Sequence, residues 1–281
     1  MHSRSTIRRS LVLGAGGVVG TAWMAGLAAG LHDNGIDLAD SDTIVGTSAG
    51  AIIGAMLATG QRPDRLAAPP HATGPAPDPA VLARVFAALS EPGQDAATGR
   101  RRAGQLARTV KAPASNLDRM RELFGASDWP HRLLVTAVDA DTGDPVVWGR
   151  GSGMPLSDAV AASTAFPGAS PPIPIGGRHY MDGGLRSATN ADLATGAEVL
   201  VVVEPLAHLF PPEQLRQELQ AAHPAVVVTV RPDPAAITAF GANLYDRAAW
   251  RSAYGAGKRQ SVDAADRLRA GPPVVSGPKQ G

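Results

Sequence analysis

Short apolar runs recur along the chain, each bounded by glycine, proline or charged residues. The runs at 10–13, 44–45, 132–138, 199–203 and 226–230 show almost no alternation of apolar and polar positions, so they predict strands covered on both faces. Apolar positions at helical spacing predict helices over 21–34, 51–57, 79–89, 116–124, 156–163, 211–222 and 242–268. Asp141-Thr142-Gly143-Asp144 is a turn signal, and the run 145–148 after it is expected to pair back on 132–138 as a hairpin. Two-faced strands alternating with helices give an α/β fold, a three-layer α/β/α sandwich with a largely parallel central sheet.

Composition changes this picture in one region. Residues 67–79 hold five prolines, and 84–121 carry eight Lys/Arg against three Asp/Glu in a chain whose net charge is +1. The expected organisation is therefore a tail at 1–8, one domain over 9–270 with a Pro/Arg-rich insertion at about 62–128, and a second tail at 271–281. The insertion, with Arg100-Arg101-Arg102 in a polar stretch, is expected to be a weakly held cap for a membrane surface or, alternatively, a solvated loop whose arginines only keep it soluble. Val81, Leu82, Val85, Phe86, Leu89, Met120, Leu123 and Phe124 would supply its apolar contact. The overall charge gives no pull toward nucleic acid. With no cysteine, disulfides and thiolate chemistry are excluded. The uncharged stretch 10–31 imitates an export signal or a membrane span. Its glycines at 14, 16, 17 and 20 each cost about 1 kcal/mol in a helix, so a strand, a glycine loop and a helix are the better reading. A cytoplasmic protein, peripheral to a membrane, is expected rather than an exported one.

Candidate chemistry centres on residues 44–57. An apolar strand breaks into Gly46-Thr47-Ser48-Ala49-Gly50 and resumes as a helix, the Gly-x-Ser-x-Gly arrangement that lifts a serine out of a sheet. Ser48 is the candidate nucleophile; the alternative is an ordinary helix cap. The glycines at 14–20 resemble a phosphate-cradling turn, yet the next strand lacks the acidic residue that would bind a ribose. Free amides there suit an oxyanion instead. For the base, His2, His32, His71, His131, His208 and His223 have no evident carboxylate partner, and His179 is the one histidine worth carrying. Asp182, on a tight turn before Gly183-Gly184, is the stronger candidate, because a carboxylate drawn out of water becomes a better base.

Taken together, the glycine loop at 14–20, Gly-Thr-Ser-Ala-Gly at 46–50, Ala162-Ser163-Thr164-Ala165-Phe166-Pro167, Pro171-Pro172 and Asp182-Gly183-Gly184 resemble the patatin-like phospholipase family over about 9–205. The resemblance implies a Ser48–Asp182 dyad without histidine and oxyanion amides from Gly16, Gly17 and Val18. It also implies turns shaped by Gly46, Gly50, Gly183 and Gly184, with no cofactor and no metal. The family loop reads Gly-Gly-Gly-x-Arg/Lys-Gly; here Ala15 replaces its first glycine and Val19 its basic residue. The expected function is a serine acyl hydrolase acting on phospholipid, lysophospholipid or another lipid ester through an acyl-enzyme. The alternatives are a small-ester or thioester hydrolase, or a slow lipid-binding or regulatory protein on the same fold.

Overall fold

Residues 7–70, 77–109, 115–125 and 127–270 are described by a computed structural model. Residues 1–6 of the tail expected at 1–8, the tail expected at 271–281, His2, His71 and the middle of the proline-rich stretch lie outside them. Eight strands form one sheet: β1 (Arg9–Leu13), β2 (Thr43–Gly46), β3 (Leu133–Asp139), β4 (Pro145–Trp148), β5 (Ile173–Ile175), β6 (Arg178–Asp182), β7 (Val199–Val203) and β8 (Val226–Val230). They are hydrogen-bonded in the order β5-β6-β3-β2-β1-β7-β8, with β4 also on β3. Strands β1, β2, β3, β7 and β8 are parallel; β4, β5 and β6 join antiparallel. The helices are α1 (Gly17–Asp33), α2 (Ala49–Ala58), α3 (Pro79–Leu89), α4 (Ala96–Ala107), α5 (Ser115–Phe124), α6 (Leu156–Ser163), α7 (Glu213–Ala222), α8 (Pro234–Phe240) and α9 (Trp250–Ala270).

Alternation along the strands divides the core between two faces. Leu11, Leu13, Ile44, Leu133 and Val135 pack with α1, α2, α6 and α9. Val12, Val45, Leu200 and Val202 face the other way and pack against Leu215 of α7. The expected three-layer sandwich is thus observed.

Three elements differ from expectation. Helix α1 begins at Gly17, inside the glycine loop, because Gly17 takes φ +61° and turns the chain into the helix at once. The segment expected as one helix over 242–268 is α9 alone from Trp250, and α8 lies before it. Asp233 caps α8 by accepting from the Ala236 amide at 2.6 Å, Pro234 opens it, and Gly241 at φ +69° ends it.

The third difference is the insertion, which is less loose than its composition predicts. The polar stretch around Arg100 is helix α4, capped by Asp95 on the Thr98 amide at 2.9 Å. Val85 of α3 and Ala103 of α4 bury against Val138, Ala140, Met181 and Leu185. On the opposite face α5 buries Met120 and Phe124 in the main core. Of the residues expected to meet lipid, Val85, Met120 and Phe124 are therefore core, and Phe86 is exposed. The arginines are engaged as well: Arg100 donates to the Gly143 carbonyl at 2.5 Å, Arg101 to Thr98 Oγ1 at 2.7 Å and Arg102 to Gln94 Oε1 at 3.0 Å.

Candidate active site

Strand β2 ends at Gly46, and two residues later Ser48 stands at φ 55° and ψ −120°, a strained conformation for a side chain other than glycine's. Its surroundings hold it there. The Thr47 amide donates to the Leu13 carbonyl at 3.0 Å, and Thr47 Oγ1 accepts from Asn190 Nδ2 and Thr136 Oγ1, each at 3.0 Å. The Ser48 amide donates to Ser163 Oγ at 2.9 Å. Gly50 lets the elbow helix sit on β1: a Cβ there would stand 1.9 Å from the Leu13 carbonyl oxygen.

Sheet register delivers the carboxylate. Strand β4 occupies one edge of β3 over Val135–Val138, so β2 and β6 share the other edge in succession. Gly46 pairs with Val135 and Asp182 with Ala137, only two residues further along β3. Ser48 leaves β2 at the point where β6 takes over its edge. Asp182 Oδ2 accepts from Ser48 Oγ at 2.6 Å, and Oδ1 accepts from the Gly184 amide at 2.7 Å. The Asp182 amide donates to the Ala165 carbonyl at 3.1 Å, so the last residue of α6 and the turn after it each hold one member of the pair. Gly183 lies against Thr136, where a Cβ would approach Oγ1 to 2.2 Å.

The pair is almost dry, with Ser48 8% and Asp182 1% exposed. Burial pushes the Asp182 carboxyl up to about 7 against the lowering effect of the Ser48 and Gly184 hydrogen bonds. Tyr245 lies close by. Its phenol is held well above its ordinary range, first by burial and then by the charge of Asp182.

The glycine loop is tied down by the Gly14 amide on the Val203 carbonyl at 3.0 Å and the Ala15 amide on the Ala188 carbonyl at 2.7 Å. Ala15 does not take a positive φ, which explains why alanine is accepted there. Among the described residues the amides of Gly16, Gly17 and Ala49 have no acceptor. The amide of Val18, expected to face an oxyanion, instead donates to the Leu244 carbonyl at 2.9 Å, as does Val19 at 3.2 Å. Residues 241–249 thus form a strap from α8 to α9 across the mouth of the loop. The Val19 side chain is fully buried in the core, so it does not face this mouth. A surface cavity lined by Ala15, Ser187, Glu204, Phe210 and Gln214 touches the far side of the loop and does not include Ser48 or Asp182.

His179 is not brought to the serine. Its carbonyl accepts from the Ala140 amide at 2.8 Å, and its partly exposed ring stands 3.8 Å from Asp141 and 3.4 Å from Arg108. Ser163, Asn190, Leu244 and Tyr245 were not singled out by sequence reasoning as site residues. Ser163 lies in a quoted motif, whereas nothing in the local pattern marks Tyr245.

The family model for patatin-like phospholipases matches residues 11–195, which include the whole elbow, the glycine loop and Asp182-Gly183-Gly184. The chain belongs to the patatin-like phospholipase family. Uncharacterized NTE family proteins of Mycobacterium tuberculosis and Mycobacterium bovis are 30% identical to it over 203 residues, covering 67% of this chain. The chain spans 30% of the length of these relatives. Among solved structures, VipD from Legionella pneumophila superimposes with a TM-score of 0.43 at 11% identity, over 92% of this chain and 67% of that one. The type III effector ExoU does so with 0.40 at 18% identity, over 94% and 53%. In this patatin-like chain the strap and its tyrosine fall beyond residue 195, outside the matched segment.

Proposed function

We propose that the protein is a serine acyl hydrolase of lipid esters that works through the Ser48–Asp182 pair. The observation that carries this reading is the 2.6 Å hydrogen bond from Ser48 Oγ to Asp182 Oδ2 inside a nearly dry site. Asp182 accepts the serine proton as Oγ attacks the acyl carbon, and then returns it to the leaving alcohol. Water resolves the acyl-enzyme with the same carboxylate as base. The amides of Gly16, Gly17 and Ala49 are the free donors from which an oxyanion hole is built, at a site where each donor is worth roughly 2.7 to 4 kcal/mol of barrier. The Val18 amide is left out of that set by its bond to Leu244. Family membership supports a lipid ester as the substrate class.

A fluorophosphonate probe tests the reading. Covalent labelling and ester hydrolysis by the parent protein are expected, both lost in Ser48→Ala with the fold retained. Asp182→Asn should be nearly as damaging, since an amide takes no proton, whereas His179→Ala should keep most of the activity. Labelling that survives in Ser48→Ala would place the nucleophile elsewhere.

A further inference from the structure

One buried carboxylate takes no part in the proposed chemistry and yet is tied to the nucleophile's neighbours. Glu218, on α7, accepts through Oε2 from Thr189 Oγ1 at 2.6 Å and from the Ala191 amide at 2.8 Å. A single oxygen therefore grips the chain on both sides of Asn190. Two further residues of α7 join the helix to the same loop. Leu215 packs in one core with Ala191, and Gln214 Nε2 donates to the Arg186 carbonyl at 3.0 Å.

Asn190 needs that grip. It is fully buried and stands at φ 53° and ψ 39°, the left-handed conformation, which a residue with a Cβ holds only when its surroundings impose it. Its amide is fixed at both ends: Oδ1 accepts from Arg186 Nη1 at 2.6 Å, and Nδ2 donates to the Ser187 carbonyl at 2.9 Å and to Thr47 Oγ1 at 3.0 Å. Thr47 is the residue before Ser48. Among the described residues three other than glycine have a positive φ, namely Ser48, Asn190 and His223, and the first two are linked through the Thr47 hydroxyl. The loop around Asn190 also meets the other parts of the site. Its Ala188 carbonyl holds the Ala15 amide of the glycine loop, and its Arg186 amide donates to the Gly183 carbonyl at 3.1 Å, next to Asp182.

We infer that Glu218 is a positioning residue for Ser48: by gripping Thr189 and Ala191 it keeps Asn190 left-handed, and Asn190, through Thr47, keeps the strained elbow in place. The inference rests on Ser48 being the nucleophile and adds a tie from α7, which lies beyond the segment that the family model matches. Without the carboxylate, the Thr189 hydroxyl and the Ala191 amide are buried with no acceptor. The loop recovers those bonds only by shifting toward other partners or water, and that shift draws Asn190 away from Thr47. Ser48 Oγ then spends less time within reach of Asp182, so the step at the serine slows with little change in binding.

The test reads the rate at Ser48 per folded molecule. The full chain and its variants are labelled with a fluorophosphonate well below their melting temperatures, and both the final stoichiometry and the rate constant are followed. Glu218→Ala should reach the parent's stoichiometry with a rate constant lower by about tenfold or more, and kcat on an ester should fall alike with KM within about twofold. Glu218→Gln keeps a carbonyl oxygen for both donors and should return to within about threefold of the parent. Asn190→Gly accepts the left-handed backbone freely but lacks the Nδ2 donor, so it should match Glu218→Ala, and the double variant should be no slower than the slower single one. Glu213→Ala, on the exposed side of α7, should label as the parent does. If Glu218→Ala does not fold, Thr189→Val takes its place and should label several-fold more slowly than Thr189→Ser. A clamp that only stabilises the fold would lower stoichiometry or melting temperature and leave the rate constant unchanged. That result overturns the inference, as do additive losses in the double variant or a Glu218→Gln as slow as Glu218→Ala. A parent that is labelled but cleaves no ester sinks the hydrolase reading, and the labelling rates still judge the clamp. If the parent is not labelled, crystal structures of parent and Glu218→Ala decide: a Ser48 that leaves its positive φ in the variant keeps the clamp, and one that stays put overturns it.

Discussion

A buried carboxylate proposed as the base leaves a mark on both activity and stability. With the Asp182 carboxyl at about 7, hydrolysis should rise with pH through that value and level off above it. The sign for stability is the opposite. Below 3.8 the carboxyl is neutral in both states; between there and about 7 the unfolded chain gives up its proton while the folded protein keeps it. Folding stability attributable to this group therefore falls as pH rises across the window, and then stays flat. The difference between 3.8 and about 7 corresponds to roughly 4 kcal/mol, so Asp182→Asn should melt well above the parent at pH 8 and close to it at pH 4. Equal melting temperatures at pH 8 would show that the carboxylate is better solvated than its 1% exposure implies. Both members of the pair were legible in the sequence, because each sits in a glycine-framed turn that leaves a local signature. Ser163 and Tyr245 were not legible as site residues, since a hydroxyl that accepts one amide and a phenol that feels a carboxylate's charge impose no pattern on their neighbours.

Among the elements, the strap at 241–249 is bound to the glycine loop. Leu244 takes the Val18 and Val19 amides, Tyr245 lies by Asp182, and the Trp250 indole donates to the Leu66 carbonyl at 2.8 Å to anchor the following helix. Gly17 must be small for this contact: a Cβ there would stand 2.8 Å from the Leu244 oxygen. Tyr245→Ala should admit water to Asp182, and the acidic limb of the pH–rate profile should then move below about 7. A limb that stays in place would separate the tyrosine from the carboxylate's environment. Strands β1, β3, β7 and β8 were legible from two-sided apolar runs. Helix α4 was not, because Gly99, Ala103, Gly104 and Ala107 bury a face of small residues that hydropathy scores weakly. The strap was read as helix because the apolar spacing of 242–268 ran through it, whereas Gly241 and the Asn243–Asp246 turn interrupt the chain.

At the scale of the molecule, the three-layer fold follows from strands covered on both faces, and the site follows from β3 passing one edge from β2 to β6. Neither the order of strands nor that shared edge is written in any local pattern; both are settled by which long-range pairings bury the most apolar surface. The same sheet order bears on how the chain must be made. Strand β1 is made before the other seven described strands, yet one of its edges pairs with β7, across Arg9–Val199 to Leu13–Val203. Until residue 203 has left the ribosome, a row of unpaired backbone donors and acceptors on a strand that carries Leu11, Val12 and Leu13 faces solvent, an open template for another chain. A truncated protein limited to 11–195, the span the family model matches, would keep that edge open for good. It should sediment with the insoluble fraction on expression, whereas a chain continued through β8 should stay in solution; a soluble, monomeric 11–195 fragment would show that β1 finds another cover.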